Sequence, residues 1–207
     1  MGMGGRKMRK IVAVLVMCVL FFLSGRVNAA GHDGFFLGGG YQQLFMYTTE
    51  HQLTFAGANS SKITFGPGFG ANILIGYDLT KSRWGFQFPF EYSYLKLNKT
   101  EYVHYFGFST EGILHLRWWK NGVDLNLVGG IGYSNLLEGP VDNNTNAQGI
   151  NFGVGPGFNY FFARDKIKGS IYVQMPIRMV YFFGNNLSAS HTIALSVPIR
   201  IGLSIGF

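Results

Sequence analysis

Cysteine is almost missing from this chain of 207 residues; the one thiol is Cys18. From residue 19 onward there is no disulfide framework, no thiol nucleophile and no thiolate metal site. Charge is scarce as well, at 13% of residues, and prolines number only six. After Leu23 no apolar run approaches the roughly 20 residues a spanning helix needs. If the rest of the chain meets a membrane, it does so as strands. The histidines His32, His51, His104, His115 and His191 show no ligand spacing, so neither a metal nor a cofactor is expected. The glycine pairs Gly66-Pro67-Gly68 and Gly153-Val154-Gly155 lack the following helix that a phosphate loop requires. What the chain has in quantity is glycine, 30 residues, and aromatic side chains, 16%.

The first 30 residues form a separate unit. Arg6, Lys7, Arg9 and Lys10 precede 13 unbroken apolar residues, Ile11 to Leu23, and Val27-Asn28-Ala29-Ala30 supplies small residues for cleavage. This pattern reads as a secretory signal peptide over 1–30, leaving 31–207 as one domain. Cys18 follows Met17 rather than a small residue and more apolar residues come after it, so it reads as discarded with the leader, not lipidated. Five of the 17 basic residues leave with it, namely Arg6, Lys7, Arg9, Lys10 and Arg26. The remaining 12 stand against 10 acids, a net charge of +2. The basic character of the whole chain therefore gives no reason to expect a nucleic-acid partner.

The last stretch shows the architecture most plainly. His191, Ile193, Leu195, Val197, Ile199, Ile201, Leu203, Ile205 and Phe207 alternate with Thr192, Ala194, Ser196, Pro198, Arg200, Gly202, Ser204 and Gly206. Period two puts one set on each face of a strand. Trp84, Phe86, Phe88, Phe90, Tyr92 and Tyr94 alternate in the same way with Gly85, Gln87, Pro89, Glu91 and Ser93. An aromatic face of that extent must meet a large core or lipid. In Gly34 to Tyr47 the phase is ambiguous, because both faces carry large side chains. About eight strands follow in all, with long connections after the first, third, fifth and seventh and short ones between. Thr48–Lys62, Lys96–Glu101, Asn135–Gly149 and Gly184–Ser190 are the long ones; Lys120-Asn121-Gly122 is a tight hairpin turn. That parity predicts an all-β, transmembrane up-and-down antiparallel β-barrel with both termini at the short-turn end. Tyr77, Trp84, Trp118, Tyr160 and Phe207 are expected at one rim, and Tyr47, Tyr94, Tyr133 and Tyr181 at the other. Bulges or kinks are expected at Pro89, Pro156, Pro176 and Pro198.

Arg200, Gly202, Ile205 and Phe207 together resemble the C-terminal signal by which bacterial outer-membrane barrels reach their insertion machinery. The chain resembles the small outer-membrane β-barrel superfamily, OmpA/OmpX-like. His32-Asp33-Gly34-Phe35-Phe36 with Gly40-Tyr41-Gln42 is similar to the start of mature chains in the Helicobacter outer membrane protein family. The resemblance implies a Gram-negative outer-membrane location, periplasmic termini, contact with lipid and lipopolysaccharide, and the barrel-assembly machinery as a partner. Unlike full-length OmpA, no peptidoglycan-binding domain follows the barrel in this sequence.

Charge on the inward face narrows the lumen. Glu91 lies seven residues from Trp84, Glu111 seven from Trp118 and Arg200 seven from Phe207, and Arg178 shares a Pro-Ile-Arg pattern with Arg200. These four are expected near one level, where a narrow interior would force them to pair. The arrangement resembles the internal ion-pair cluster of the OmpA-type barrel. A rigid structural plug is the plainer role for it, and a gate the more specific one.

Three functions remain open. The first is a structural or surface-interaction barrel, adhesion included, that meets an extracellular partner through Thr48–Lys62 and Asn135–Gly149. The second is a narrow, porin-like passage for small or apolar solutes, as in the OmpW-type barrels. The third is a lipid A-modifying acyl hydrolase, for which His104, His191, Ser188, Ser190 and Glu101 are the candidate residues. Tyr133-Ser134-Asn135 lacks the neighbouring histidine of lipid A deacylases, so no catalytic residue is assigned.

Overall fold

A computed structural model describes residues 34–48, 67–79, 82–96, 102–118, 122–138, 146–164, 167–183 and 191–207. The predicted leader, most of the four long connections and most of the short turns lie outside them. The described residues form nine segments: β1 (Phe35–Thr48), β2 (Gly68–Asp78), β3 (Trp84–Lys96), β4 (Tyr102–Trp118), β5 (Val123–Glu138), β6 (Asn146–Arg164), β7 (Ile167–Gln174), β8 (Ile177–Phe183) and β9 (His191–Gly206). Every neighbouring pair is antiparallel, and β1 pairs with β9, which closes the sheet.

The nine segments make eight staves. β7 and β8 both lie between β6 and β9, and both keep one register with each neighbour. They are halves of one strand interrupted at Met175 and Pro176. By the same register Pro176 falls opposite Pro198 on β9. A proline has no N–H to give to the ladder, and setting two of them at one level confines the missing donors there. The interruption is narrow: within it the Met175 amide still donates to the Pro156 carbonyl at 2.9 Å, and pairing with β6 is regular again from Ile177.

The expected bulges at the prolines are therefore corrected. Pro89 and Pro176 interrupt pairing without shifting it, since the register on either side is unchanged. The register shift lies instead between His115 and Arg117 on β4. The connection expected over Asn135–Gly149 is also shorter, because β5 runs to Glu138 and β6 starts at Asn146. Side chains in the added segments alternate: Leu136 and Ala147 are buried and point inward. The ambiguous first strand resolves with Phe36, Gln42, Leu44 and Met46 inside and Phe35, Leu37, Tyr41, Phe45 and Tyr47 outside.

The stagger of the staves can be traced. From Leu203 the paired residues run Gly39, Ile73, Phe90, Phe108, Tyr133, Ile150, Tyr181 and back to Ile193. One circuit thus climbs ten residues along β9, from Leu203 to Ile193. Such a shear tilts strands by roughly 35–45° and leaves an eight-stranded interior only wide enough for side chains.

At the short-turn end, Gly122 has φ +84° and its carbonyl accepts the Phe161 amide at 2.7 Å. A Cβ there would press on the Phe161 carbonyl. Gly122→Ala is therefore expected to cost about 1 kcal/mol or somewhat more. A lowered urea midpoint for the variant refolded in lipid vesicles checks this.

Candidate functional site

The inward face of each stave carries the even or odd set that the pleat assigns it, and the closed sheet stacks those sets into layers. Glu91 of β3, Glu111 of β4, Arg178 of β8 and Arg200 of β9 meet in the middle layer. Glu91 lies opposite Gly107 and Glu111 opposite Gln87, so the two carboxylates are four residues apart in the β3–β4 register. The stagger puts them at different heights, and the arginines span the difference. Arg178 places Nη1 2.7 Å from Glu91 Oε2 and Nη2 2.6 Å from Glu111 Oε1. Arg200 places Nη2 2.5 Å from Glu91 Oε1 and Nη1 2.8 Å from Glu111 Oε2. Each guanidinium thus bridges both carboxylates. Arg178 is 2% exposed and Arg200 fully buried.

Neutral groups complete the layer. Gln87 Nε2 donates to Glu111 Oε2 at 2.7 Å and Ser109 Oγ to Glu111 Oε1 at 3.1 Å. Gln87 and Gln174 exchange hydrogen bonds at 3.0 and 3.1 Å, and Gln174 Oε1 also accepts from Arg200 at 3.2 Å. Two charges of each sign cancel, and their lone pairs and protons are largely taken up. Those are the conditions under which buried ions are tolerable.

Two further layers were not foreseen in the sequence. Toward the short turns, His115 stands between two buried aspartates, with Nδ1 2.9 Å from Asp124 Oδ2 and Nε2 3.3 Å from Asp78 Oδ1. Asn126 and Asn159 also donate to Asp124 Oδ2, at 2.9 and 3.2 Å. The signal was present: Asp78 ends β2, Asp124 is second in β5, and both have inward parity. Only the β2–β3, β3–β4 and β4–β5 pairings together show that they flank His115. Toward the long connections lies an apolar plug of Leu44, Met46, Leu95, Val103, Leu136, Val180 and Phe182 with Tyr105, all buried. Tyr105 joins it to the charged layer, its hydroxyl 3.5 Å from Glu91 Oε2 and 3.1 Å from Ser134 Oγ. A smaller apolar group, Phe36, Leu74, Ile113, Val128 and Tyr172, separates the middle layer from His115.

The outside is the reverse. Phe35, Leu37, Phe69, Ile73, Trp84, Phe90, Phe108, Ile131, Phe152, Val154, Ile177 and Leu203 are all exposed. Tyr77, Trp84, Tyr160 and Phe207 lie outward toward the short turns, and Tyr47, Tyr94 and Tyr181 toward the long connections. The side chain of Trp118 lies outside the described set. Tyr133 departs from the expected rim: it is half-buried in the row with Phe108 and Ile150, well inside β5. Of the terminal quartet, Ile205 and Phe207 point outward while Arg200 and Gly202 face the lumen. His104 packs against Tyr92 and Tyr94, with Nδ1 2.9 Å from the Tyr92 hydroxyl. Glu101, Ser188 and Ser190, and the His191 side chain, lie outside the described residues.

A closed eight-stave antiparallel barrel with an apolar exterior and a packed, charged interior is the fold of the small bacterial outer-membrane barrels. No protein-family model matches the sequence, and no curated protein sequence does. Among solved structures the chain is similar to Neisserial surface protein A, NspA, with a TM-score of 0.61 at 12% identity, over 84% of this chain and 97% of that one. It also aligns with Ail, the attachment invasion locus protein of Yersinia pestis (TM-score 0.47, 12% identity, 84% and 98% covered). A third alignment is with E. coli outer membrane protein W (TM-score 0.46, 14% identity, 87% and 100% covered). The likeness to NspA is one of fold.

Two outcomes test the layers. Arg200→Ala leaves both carboxylates to Arg178 alone and is expected to cost about 3–5 kcal/mol. Arg200→Ala with Glu91→Ala is expected to cost less than the sum of the single changes, a coupling of roughly 0.5–3 kcal/mol. Urea unfolding in vesicles reads both; strict additivity would mean the pair does not interact. His115→Leu is expected to lower the midpoint by removing the group between Asp78 and Asp124. Adding Asp124→Asn should restore part of that loss; no recovery would mean that His115 does not balance the aspartates.

Proposed function

We propose that the mature chain is an integral protein of a Gram-negative outer membrane with a sealed lumen, which acts at the cell surface through its long connections. The observation that carries this is the filled interior. The Glu91, Glu111, Arg178 and Arg200 layer and the apolar plug above it occupy the axis with paired or dry side chains. A passage along that axis would have to break four ion pairs and wet ten buried apolar residues, which favours a structural role for the quartet over a gate. In this reading residues 1–30 are a cleaved signal peptide and both termini are periplasmic, as the parity of the connections supports. Arg200, Gly202, Ile205 and Phe207 then serve as the insertion signal read by the assembly machinery.

The surface role falls to residues 49–66 and 139–145, outside the described set, and an extracellular partner or lipopolysaccharide is what they would meet. The narrow-passage reading has less support because of the filled axis. The acyl-hydrolase reading has less again: His104, the candidate whose side chain is described, is held by Tyr92 and Tyr94.

Purified mature protein reconstituted in planar bilayers is expected to give no stepwise single-channel current. Regular channel steps from the wild type would overturn the sealed-lumen reading. Deleting the two long connections is expected to leave the heat-modifiable gel shift intact while abolishing any cell-surface binding. Retention of that binding would move the activity elsewhere.

A further inference from the structure

The outer wall carries a cleft of about 400 Å³ over β2 to β5, lined by Ala71, Ile73, Phe90, Tyr92, Phe106, Phe108 and Tyr133 among others. Its construction follows from the register. One wall is the cross-strand row Ile73, Phe90, Phe108, Tyr133; the other is Ala71, Tyr92, Phe106. Phe90 and Phe108 stack at 6.0 Å between centroids, and Tyr92 and Phe106 lie 5.2 Å apart. Between the rows runs the backbone of Asn72, Glu91 and Gly107, whose inward parity leaves an open floor. Ala71 is the one small residue in either row, and it leaves the second wall low at the β2 end. The Tyr92 hydroxyl is turned to His104 at 2.9 Å, so it is engaged outside the cleft.

We propose that this cleft holds one acyl chain of a bilayer lipid. Position selects the occupant. On the circuit from Leu203 to Ile193, Phe108 stands four pairings from either end, so the cleft is at mid-height on the wall. If the barrel spans a bilayer, as the proposed function holds, what reaches that depth is hydrocarbon or the wall of a neighbouring membrane protein. The cleft is of the size that buries a small ligand, roughly 300–1,000 Å³. A chain seated there gains van der Waals contact with ring faces on two sides, where an ordinary annular lipid meets one convex surface. Within lipid, contact of that kind rather than water release drives association. A second barrel offers a convex face, which does not enter a cleft between ring rows.

Native mass spectrometry of the folded chain in a sugar-headgroup detergent, titrated with phosphatidylethanolamine, tests the assignment. One saturable lipid per barrel is expected. Ala71→Phe, which raises the low wall into the cleft, is expected to weaken that binding about tenfold or more. Phe108→Ala, which removes a wall without adding bulk, should weaken it as well. Leu203→Phe, on the far side of the barrel, should leave it unchanged. Adducts that never saturate, or that survive both cleft changes, would overturn the proposal, as would a dimer that Ala71→Phe dissolves. The heat-modifiable shift of each variant, read in parallel, separates loss of the site from failure of the membrane-barrel reading itself.

Discussion

A charge shut inside a narrow closed sheet has to be cancelled by another charge that is shut in with it. Glu91, Glu111, Arg178 and Arg200 meet that demand as a group of zero net charge, and every other layer is arranged around them. Removing water makes each attraction stronger and each unmatched partner more costly. The quartet also joins staves far apart in the chain; the Arg200 to Glu91 hydrogen bonds bridge 109 positions of sequence. Closure of β1 on β9 brings those positions together across the lumen, so ring closure and charge pairing support one another.

The apolar layers on either side keep the quartet dry. Leu44, Leu95, Val103, Leu136, Val180 and Phe182 close one end, and Phe36, Leu74, Ile113, Val128 and Tyr172 stand between the quartet and His115. This order, polar then apolar then ionic then apolar, places the charges where their environment is least aqueous. In the membrane span proposed above, the wall has a separate condition to meet: in hydrocarbon every backbone donor of a strand needs a protein acceptor, and a closed ladder supplies one. The interruption at Pro176 remains tolerable because the register does not slip and the Met175 amide still finds Pro156.

Much of the barrel was legible. A strand with one face on a closed interior and the other outside the barrel must alternate, so His191 to Phe207 and Trp84 to Tyr94 declared their faces by residue type. The inward placement of all four lumen charges followed from the same parity. Boundaries were less legible: Asn135, Gln148 and Gly149 have loop chemistry, yet Leu136 and Ala147 are drawn inward and carry the strand with them. Prolines misled in detail, since a missing donor signals a broken rung but not a shift of register. The bulge at His115 and Arg117 carries no glycine or proline that would mark it.

The sequence by itself determined the fold class, which face of each clear strand looks outward, and which charged residues point into the interior. It could do so because parity is a local property, set by two-residue repeats along one strand. The tertiary structure alone decided which charge meets which, that His115 stands between Asp78 and Asp124, and that two ring rows frame a cleft around Ala71. Those are facts of register and stagger between strands. Register depends on how eight staves close with a ten-residue climb, a quantity that no single strand contains.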